Sequence, residues 1–169
     1  MALIVEDGTG LTTAESYLSV VDADAHHVLF GTAAASWSSL STGQKEIALR
    51  KATRYIDASY SFRGERKRVE QALLWPRVGY GTDEVYEPSG SWPVPLLRQA
   101  TAELAVKAAA GELLVDEDSR IVTEKTVGPI TVKYGDTRFG GQKRYAIIDK
   151  LLSPLTVSVG SLGMRLERA

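Results

Sequence analysis

The side chains of this chain that could do chemistry are few, and their spacing keeps them apart. His26 and His27 are its only two histidines. Neighbours on a helix point about 100° apart, so these two cannot close on one metal ion. They are expected to be partly exposed helix residues. Asp22 and Asp24 diverge in the same way. Asp116-Glu117-Asp118 is a carboxylate run that could touch a hard cation, yet it reads as a solvated acidic turn. Gly8-Thr9-Gly10 lacks the further glycine and the preceding strand of a dinucleotide fingerprint, and no Walker-type phosphate loop is present. No serine sits in a Gly-x-Ser-x-Gly elbow. The chain has no cysteine, which excludes disulfides, thiolate zinc sites and thiol nucleophiles. General-base and nucleophilic catalysis therefore lack players, and no catalytic residue, metal or cofactor is expected.

One cluster has functional reach. Arg63, Arg66, Lys67, Arg68 and Arg77 gather around Phe62 and Trp75. Such cations could hold a phosphate backbone, and such rings could stack a base. The other reading is a solvated loop with Trp75 in the core. In Leu74-Trp75-Pro76-Arg77 the proline bars a continuing helix and restricts the residue before it. Trp75 is thus expected at a bend, as a packing anchor. For the arginines both readings stay open, and a basic loop lining a DNA-conducting channel would satisfy both.

The elements that must position this cluster follow from periodicity and caps. Thr12 to Glu15 matches a capping box, which predicts a first helix from about Thr13 to Phe30, stopped by Gly31. Its buried face would carry Tyr17, Val20 or Val21, Asp24 and Val28. Thr32 to Leu40 reads as a loop anchored by Trp37. Ser41 to Gln44 is a second capping box, opening a helix to about Tyr60 with Ala48, Ala52, Tyr55, Ile56 and Tyr60 on its apolar stripe. Val69 to Trp75 suggests a short helical turn. Pro93 and Pro95 suit the first turn of a third helix, running to Ala110 with Gly111 as its stop and Leu97, Ala100, Leu104 and Ala108 buried. Arg120 to Val127 and Ile130 to Tyr134 read as a β-hairpin around Gly128-Pro129. Tyr145 to Leu152 is a short helix ended by Ser153-Pro154. Thr156 to Val159 alternates and could add as a strand to another edge.

The fold class is therefore mainly α: a small bundle of three to four helices with a β-hairpin and an extended C-terminal arm. Residues 1–155 form the helical domain, with the hairpin at about 120–135, and residues 156–169 the tail. A two-stranded hairpin alone is marginal in water, so it needs a sheet or a partner. Val122, Ile130, Val132, Val157 and Val159 are candidates for a subunit interface. Trp37, Tyr55 and Trp75 are the candidate packing anchors.

With 169 residues, 44% hydrophobic and 24% charged, the chain fits one domain with a sizeable core. No apolar run reaches the roughly 18–20 residues of a membrane span, and the N-terminus does not read as a secretory signal. The net charge is −1 but unevenly placed. Residues 44–77 carry nine Lys/Arg against four Asp/Glu, and residues 78–124 carry three against nine. Opposed halves suit packing of one copy against another, and equally suit two solvated faces.

Four blocks in order carry a resemblance. They are Ile4-Val5-Glu6-Asp7-Gly8-Thr9-Gly10 running into Ser16-Tyr17 and Ala23-Asp24-Ala25; Ala48 to Asp57; Leu74-Trp75-Pro76-Arg77; and Ala100 to Ala105. From about Leu3 to Leu155 the chain resembles the head–tail connector (adaptor) proteins of long-tailed bacteriophages and prophages. Some relatives of that family carry the label "DnaT-like single-stranded-DNA-binding protein". The residues after Thr156 fall outside the resemblance. It implies a structural virion protein at the neck, made in the host cytoplasm. Its partners would be further copies of itself in a dodecameric ring, the portal protein, a tail-side connector or terminator protein, and double-stranded DNA passing non-specifically through the channel. No membrane and no enzymatic activity are implied. Arg63, Arg66, Lys67, Arg68 and Arg77 are then candidates to face the DNA channel or the portal. The alternative is a single-stranded-DNA-binding replication accessory protein.

Overall fold

In the computed structural model, Ser41 starts the longest helix by reciprocal capping. Its hydroxyl accepts from the Gln44 N–H at 3.4 Å, and the Gln44 side chain accepts from the Ser41 N–H at 2.9 Å. Two N–H groups that the helix cannot satisfy internally are thereby bonded. Ser41→Ala is expected to cost about 1 kcal/mol of stability, read from urea denaturation. The structure describes residues 2–31, 34–81, 94–114, 124–127, 130–133 and 145–157. These form α1 (Val20–Phe30), α2 (Ala34–Ser38), α3 (Thr42–Ser59), β1 (Glu65–Arg66), β2 (Arg77–Val78), α4 (Pro95–Ala110), β3 (Glu124–Val127), β4 (Ile130–Lys133) and α5 (Ala146–Leu152). A 3-10 turn over Ser153–Leu155 follows.

The fold is mainly helical, as the periodicity predicts. Helix α3 lies against α4, and α5 also packs on α4. Ala48, Leu49, Ala52 and Ile56 of α3 are buried with Leu97, Ala100, Leu104 and Ala105 of α4. Small side chains at the crossing let the two backbones approach closely. Pro95 opens α4, where a missing N–H leaves no bond unmade. Tyr55 is buried edge-to-face against Tyr145, ring centroids 5.5 Å apart. The hairpin is present, with Val127 opposite Ile130 and Lys125 opposite Val132.

Several expectations are corrected. The first helix begins at Val20, not Thr13, and its cap is Ser19, whose hydroxyl accepts from the Asp22 N–H at 3.1 Å. Glu15 does not cap. Its carboxylate accepts from the Ile4 N–H at 3.3 Å and from Arg50 Nη2 at 2.9 Å. The segment before α1 is held extended instead, with Val5 bridging Ser16 in parallel. A non-local bridge and ion pair have overridden a local cap. The buried face of α1 is Ala23 and His27, while Val28 is 79% exposed. His27 is buried against Trp37, ring centroids 5.0 Å apart, and His26 Nε2 lies 3.2 Å from Glu103 Oε1. The pair is therefore not two partly exposed histidines. Residues 69–75 form turns, not a helical turn. Gly31 stops α1 in the left-handed region, at φ 64°, as expected.

Trp37 is an anchor inside a short helix where a loop is expected. It is 2% exposed, and its indole N–H donates to Asp24 at 2.6 Å. Lys45 Nζ also reaches Asp24, at 2.8 Å. Burial works to raise the Asp24 carboxyl, but these two donors outweigh it and hold it below its ordinary value. One carboxylate thus ties α1, α2 and α3 together.

Candidate nucleic-acid interface

The basic cluster sits on a frame of backbone bonds. Strands β1 and β2 pair antiparallel, with Glu65 opposite Val78 and Arg66 opposite Arg77. Gly64 precedes them at φ 72°, and a Cβ there would lie 2.2 Å from the Val78 carbonyl, so only glycine fits. Gln71 is buried, and its side-chain N–H groups donate to Leu73 and Pro76 carbonyls at 2.8 and 3.1 Å. Its side-chain oxygen accepts from the Arg68 N–H at 2.9 Å. The Lys67 N–H donates to the Pro76 carbonyl at 3.1 Å. The loop that carries the cations is thereby stitched to the Leu74–Arg77 bend.

The bend is in turn tied to the core. Trp75 is fully buried, with Tyr80 at 4.7 Å and Phe62 at 5.6 Å between ring centroids, both edge-to-face. The peptide bond between Trp75 and Pro76 is cis. Tyr17 donates its hydroxyl to Asp57, whose second oxygen accepts from the Leu74 N–H at 3.1 Å. The Trp75 N–H donates to the Tyr17 hydroxyl oxygen at 3.3 Å. Burial, then the Asp57 charge, push the Tyr17 hydroxyl well above its ordinary pKa, so it stays a donor.

Burial also raises the Asp57 carboxyl, against the donors of Tyr17 and Leu74. A raised value means that the folded state holds the proton more firmly than the unfolded chain. This group's contribution to stability is then fullest below its ordinary pKa and declines as pH rises through the raised one. The stability of wild type relative to Asp57→Asn is therefore expected to fall as pH rises from below the ordinary carboxyl range, measured by urea denaturation. A flat or rising difference would contradict the assignment.

The N-terminal block supports the same loop. Glu6 is buried, and its carboxylate accepts from the N–H groups of Gly8, Gly10 and Leu11 at 2.9, 2.8 and 2.9 Å. That fold of the chain presents the Gly8 carbonyl to Lys67 Nζ at 2.8 Å and the Leu11 carbonyl to the Ala72 N–H at 3.0 Å. Asp7 accepts from the Thr9 hydroxyl and N–H, which hold its carboxyl below the ordinary range.

The five candidate cations divide into two kinds. Arg77 turns inward: its guanidinium donates to the carbonyls of Arg63, Leu74, Phe62 and Gly64. Burial and the neighbouring Arg66 pull its pKa down. It clamps four backbone carbonyls of the loop and the bend. Arg63, Arg66, Lys67 and Arg68 are exposed. Arg63 Nε donates to the Thr156 carbonyl at 2.9 Å. The Arg66 and Arg68 side chains make no hydrogen bond or ion pair to another described residue. Among the described residues, two guanidinium groups are thus fixed at their backbones and unpaired at their heads.

A family model described as "Putative DnaT-like ssDNA binding protein" matches residues 1–169, the whole length of this chain. The chain belongs to this DnaT-like family. No curated protein and no solved structure matches it. In this DnaT-like chain the rings beside the cations are not available for stacking, because Trp75 and Phe62 are 0% and 6% exposed. Among the described residues, the fold presents charge there without an exposed aromatic platform. Of the interface candidates, Val157 is 52% exposed. Ile130 and Val132 lie on β4, and Val122 and Val159 fall outside the described residues. Among the described residues no three His, Asp or Glu side chains gather to hold a metal, and no helix is long and apolar enough to cross a membrane.

The sequence singles out Trp75 and the cations but not the residues that hold them. Asp57, Tyr17, Gln71 and Glu6 carry the positioning. Three of these four lie inside the blocks that bear the resemblance, which was the one signal for them.

Proposed function

We propose that this chain is a non-catalytic structural protein that meets nucleic acid through its phosphates. Copies of it would form the adaptor ring between the portal and the tail of a long-tailed phage, with DNA crossing beside Arg63, Arg66, Lys67 and Arg68. The observation that carries this reading is the open heads of Arg66 and Arg68 beside sealed rings. Cations alone recognise a backbone charge that single and double strands share, whereas single-strand binders add exposed aromatic platforms. The ordered sequence blocks support the ring and the virion neck. The chain's near-neutral net charge suits a protein that DNA passes rather than one that grips it.

A second reading is a single-stranded-DNA-binding accessory protein, and the family description favours it directly. The two differ in strand preference. The ring reading expects weak binding, no tighter to single strands than to duplex of equal length, falling steeply with salt. The accessory reading expects tight binding and a clear preference for single strands. Reversing Arg66, Lys67 and Arg68 to glutamate should weaken duplex binding at least ~10-fold at low salt and lower the log–log salt slope by about 3. Tail attachment should be lost with it, and attachment that survives this reversal would sink the channel assignment.

A further inference from the structure

Helix α1 presents an apolar surface that the fold leaves open. Val21, Val28, Leu29 and Phe30 are 77%, 79%, 79% and 59% exposed. Part of this surface is a groove of about 270 Å³ between α1 and the start of α4, floored by Leu18, Ala25, Leu29, Phe30 and Pro95. Its polar edges already have partners. Asp22 pairs with Arg98 at 2.9 Å, and His26 faces Glu103 at 3.2 Å. No cluster of unsatisfied polar groups converges there, as a small-molecule site would need, and the volume lies below the usual range for one. The groove has room for a few apolar side chains of a peptide, with one charge of each sign at its rim.

The chain itself supplies such a peptide. Thr156 bridges Phe62 antiparallel, the Val157 N–H donates to the Ser61 carbonyl at 2.9 Å, and the Arg63 N–H donates to the Leu155 carbonyl at 3.0 Å. Bonds in an antiparallel ladder fall on alternate residues, so the next bonding position on this side is Ser59, the last residue of α3. A helical residue offers no strand edge, so the Ser61–Arg63 side has no further pairing to give beyond Val157. Residues 158–169 hold Val159, Leu162, Met164 and Leu166, with Arg165, Glu167 and Arg168 among them. Extended, they reach about 40 Å at roughly 3.3 Å per residue.

We infer that residues 158–169 of one copy dock in the α1–α4 groove of the next copy. This rests on the ring reading above and gives that ring a head-to-tail contact of the kind that closes by rotation. The contact leaves Arg66 and Arg68 free for DNA.

Native mass spectrometry of the full chain tests it with Leu29→Glu in the groove and Leu166→Glu in the tail. Leu29 is exposed, so its replacement leaves the core intact. Each variant alone is expected to self-associate at least tenfold more weakly than wild type. Mixed in equal amounts, they are expected to form one-to-one pairs and nothing larger, because one intact groove then meets one intact tail. Either variant assembling like wild type would overturn the inference and leave the ring reading standing. So would a mixture that stays monomeric, because it holds an intact groove and an intact tail that fail to meet. A monomeric wild type would overturn the docking and the ring together, while strand preference and the salt slope report separately on the DNA contact.

Discussion

Trp75→Ala is expected to destabilise the fold by about 3–5 kcal/mol, the largest loss of any single replacement in the bend. The side chain is fully buried between Phe62 and Tyr80, and nothing beside it is free to fill the space. For a domain of this size the melting temperature would fall by about 10 °C. Trp75→Phe should cost less than half as much. It keeps an edge-to-face ring and removes the indole N–H, which is buried without a hydrogen-bond partner among the described residues. Urea denaturation of both variants checks the pair. An alanine variant within 1 kcal/mol of wild type would mean that Trp75 is not the anchor, and would reopen it as a stacking group. Because the Trp75 ring fixes the loop rather than touching a ligand, Trp75→Phe should bind duplex DNA as wild type does.

The anchor was legible because a large aromatic before a proline has few other places to go. Helices α3 and α4 were legible for a similar reason: a capping box, a proline at the first turn and a stripe at helical spacing all agree. The start of α1 was not. Thr12 to Glu15 has the letters of a cap, but Glu15 finds Arg50 thirty-five positions away. Nothing local announces that pairing. The same holds for the site. Charge at Arg63 to Arg68 is visible in the letters, yet which cations remain open depends on where the carbonyls fall. Arg77 carries the same charge as Arg66 and stands opposite it in the ladder, but one is enclosed by backbone oxygens and the other is not. Glu6 shows the limit from the other side. Nothing in the letters marks this glutamate as buried, and only the fold reveals that three backbone N–H groups of its own loop surround it.

That division of the cations leads to the second large effect. Arg77→Ala is expected to cost about 3 kcal/mol of stability, because one guanidinium donates to four carbonyls and charged donors make the stronger bonds. The carbonyls of Phe62, Arg63 and Gly64 would then lose the group that gathers them, and the loop would lose its shape. Arg77→Lys should recover only a minor part, since an ammonium is a compact charge and cannot span the fork. Arg66→Ala is the contrast. Its head has no bond to lose among the described residues, so its unfolding free energy should stay within about 0.5 kcal/mol of wild type. Its duplex affinity should nevertheless fall, and the log–log salt slope should drop by about 1. Stability and salt slope thus move separately in the two variants. Equal stability losses in Arg66→Ala and Arg77→Ala would refute the distinction between a clamp and an open head. An unchanged salt slope in Arg66→Ala would remove this arginine from the DNA contact and leave Arg68 as the remaining open guanidinium.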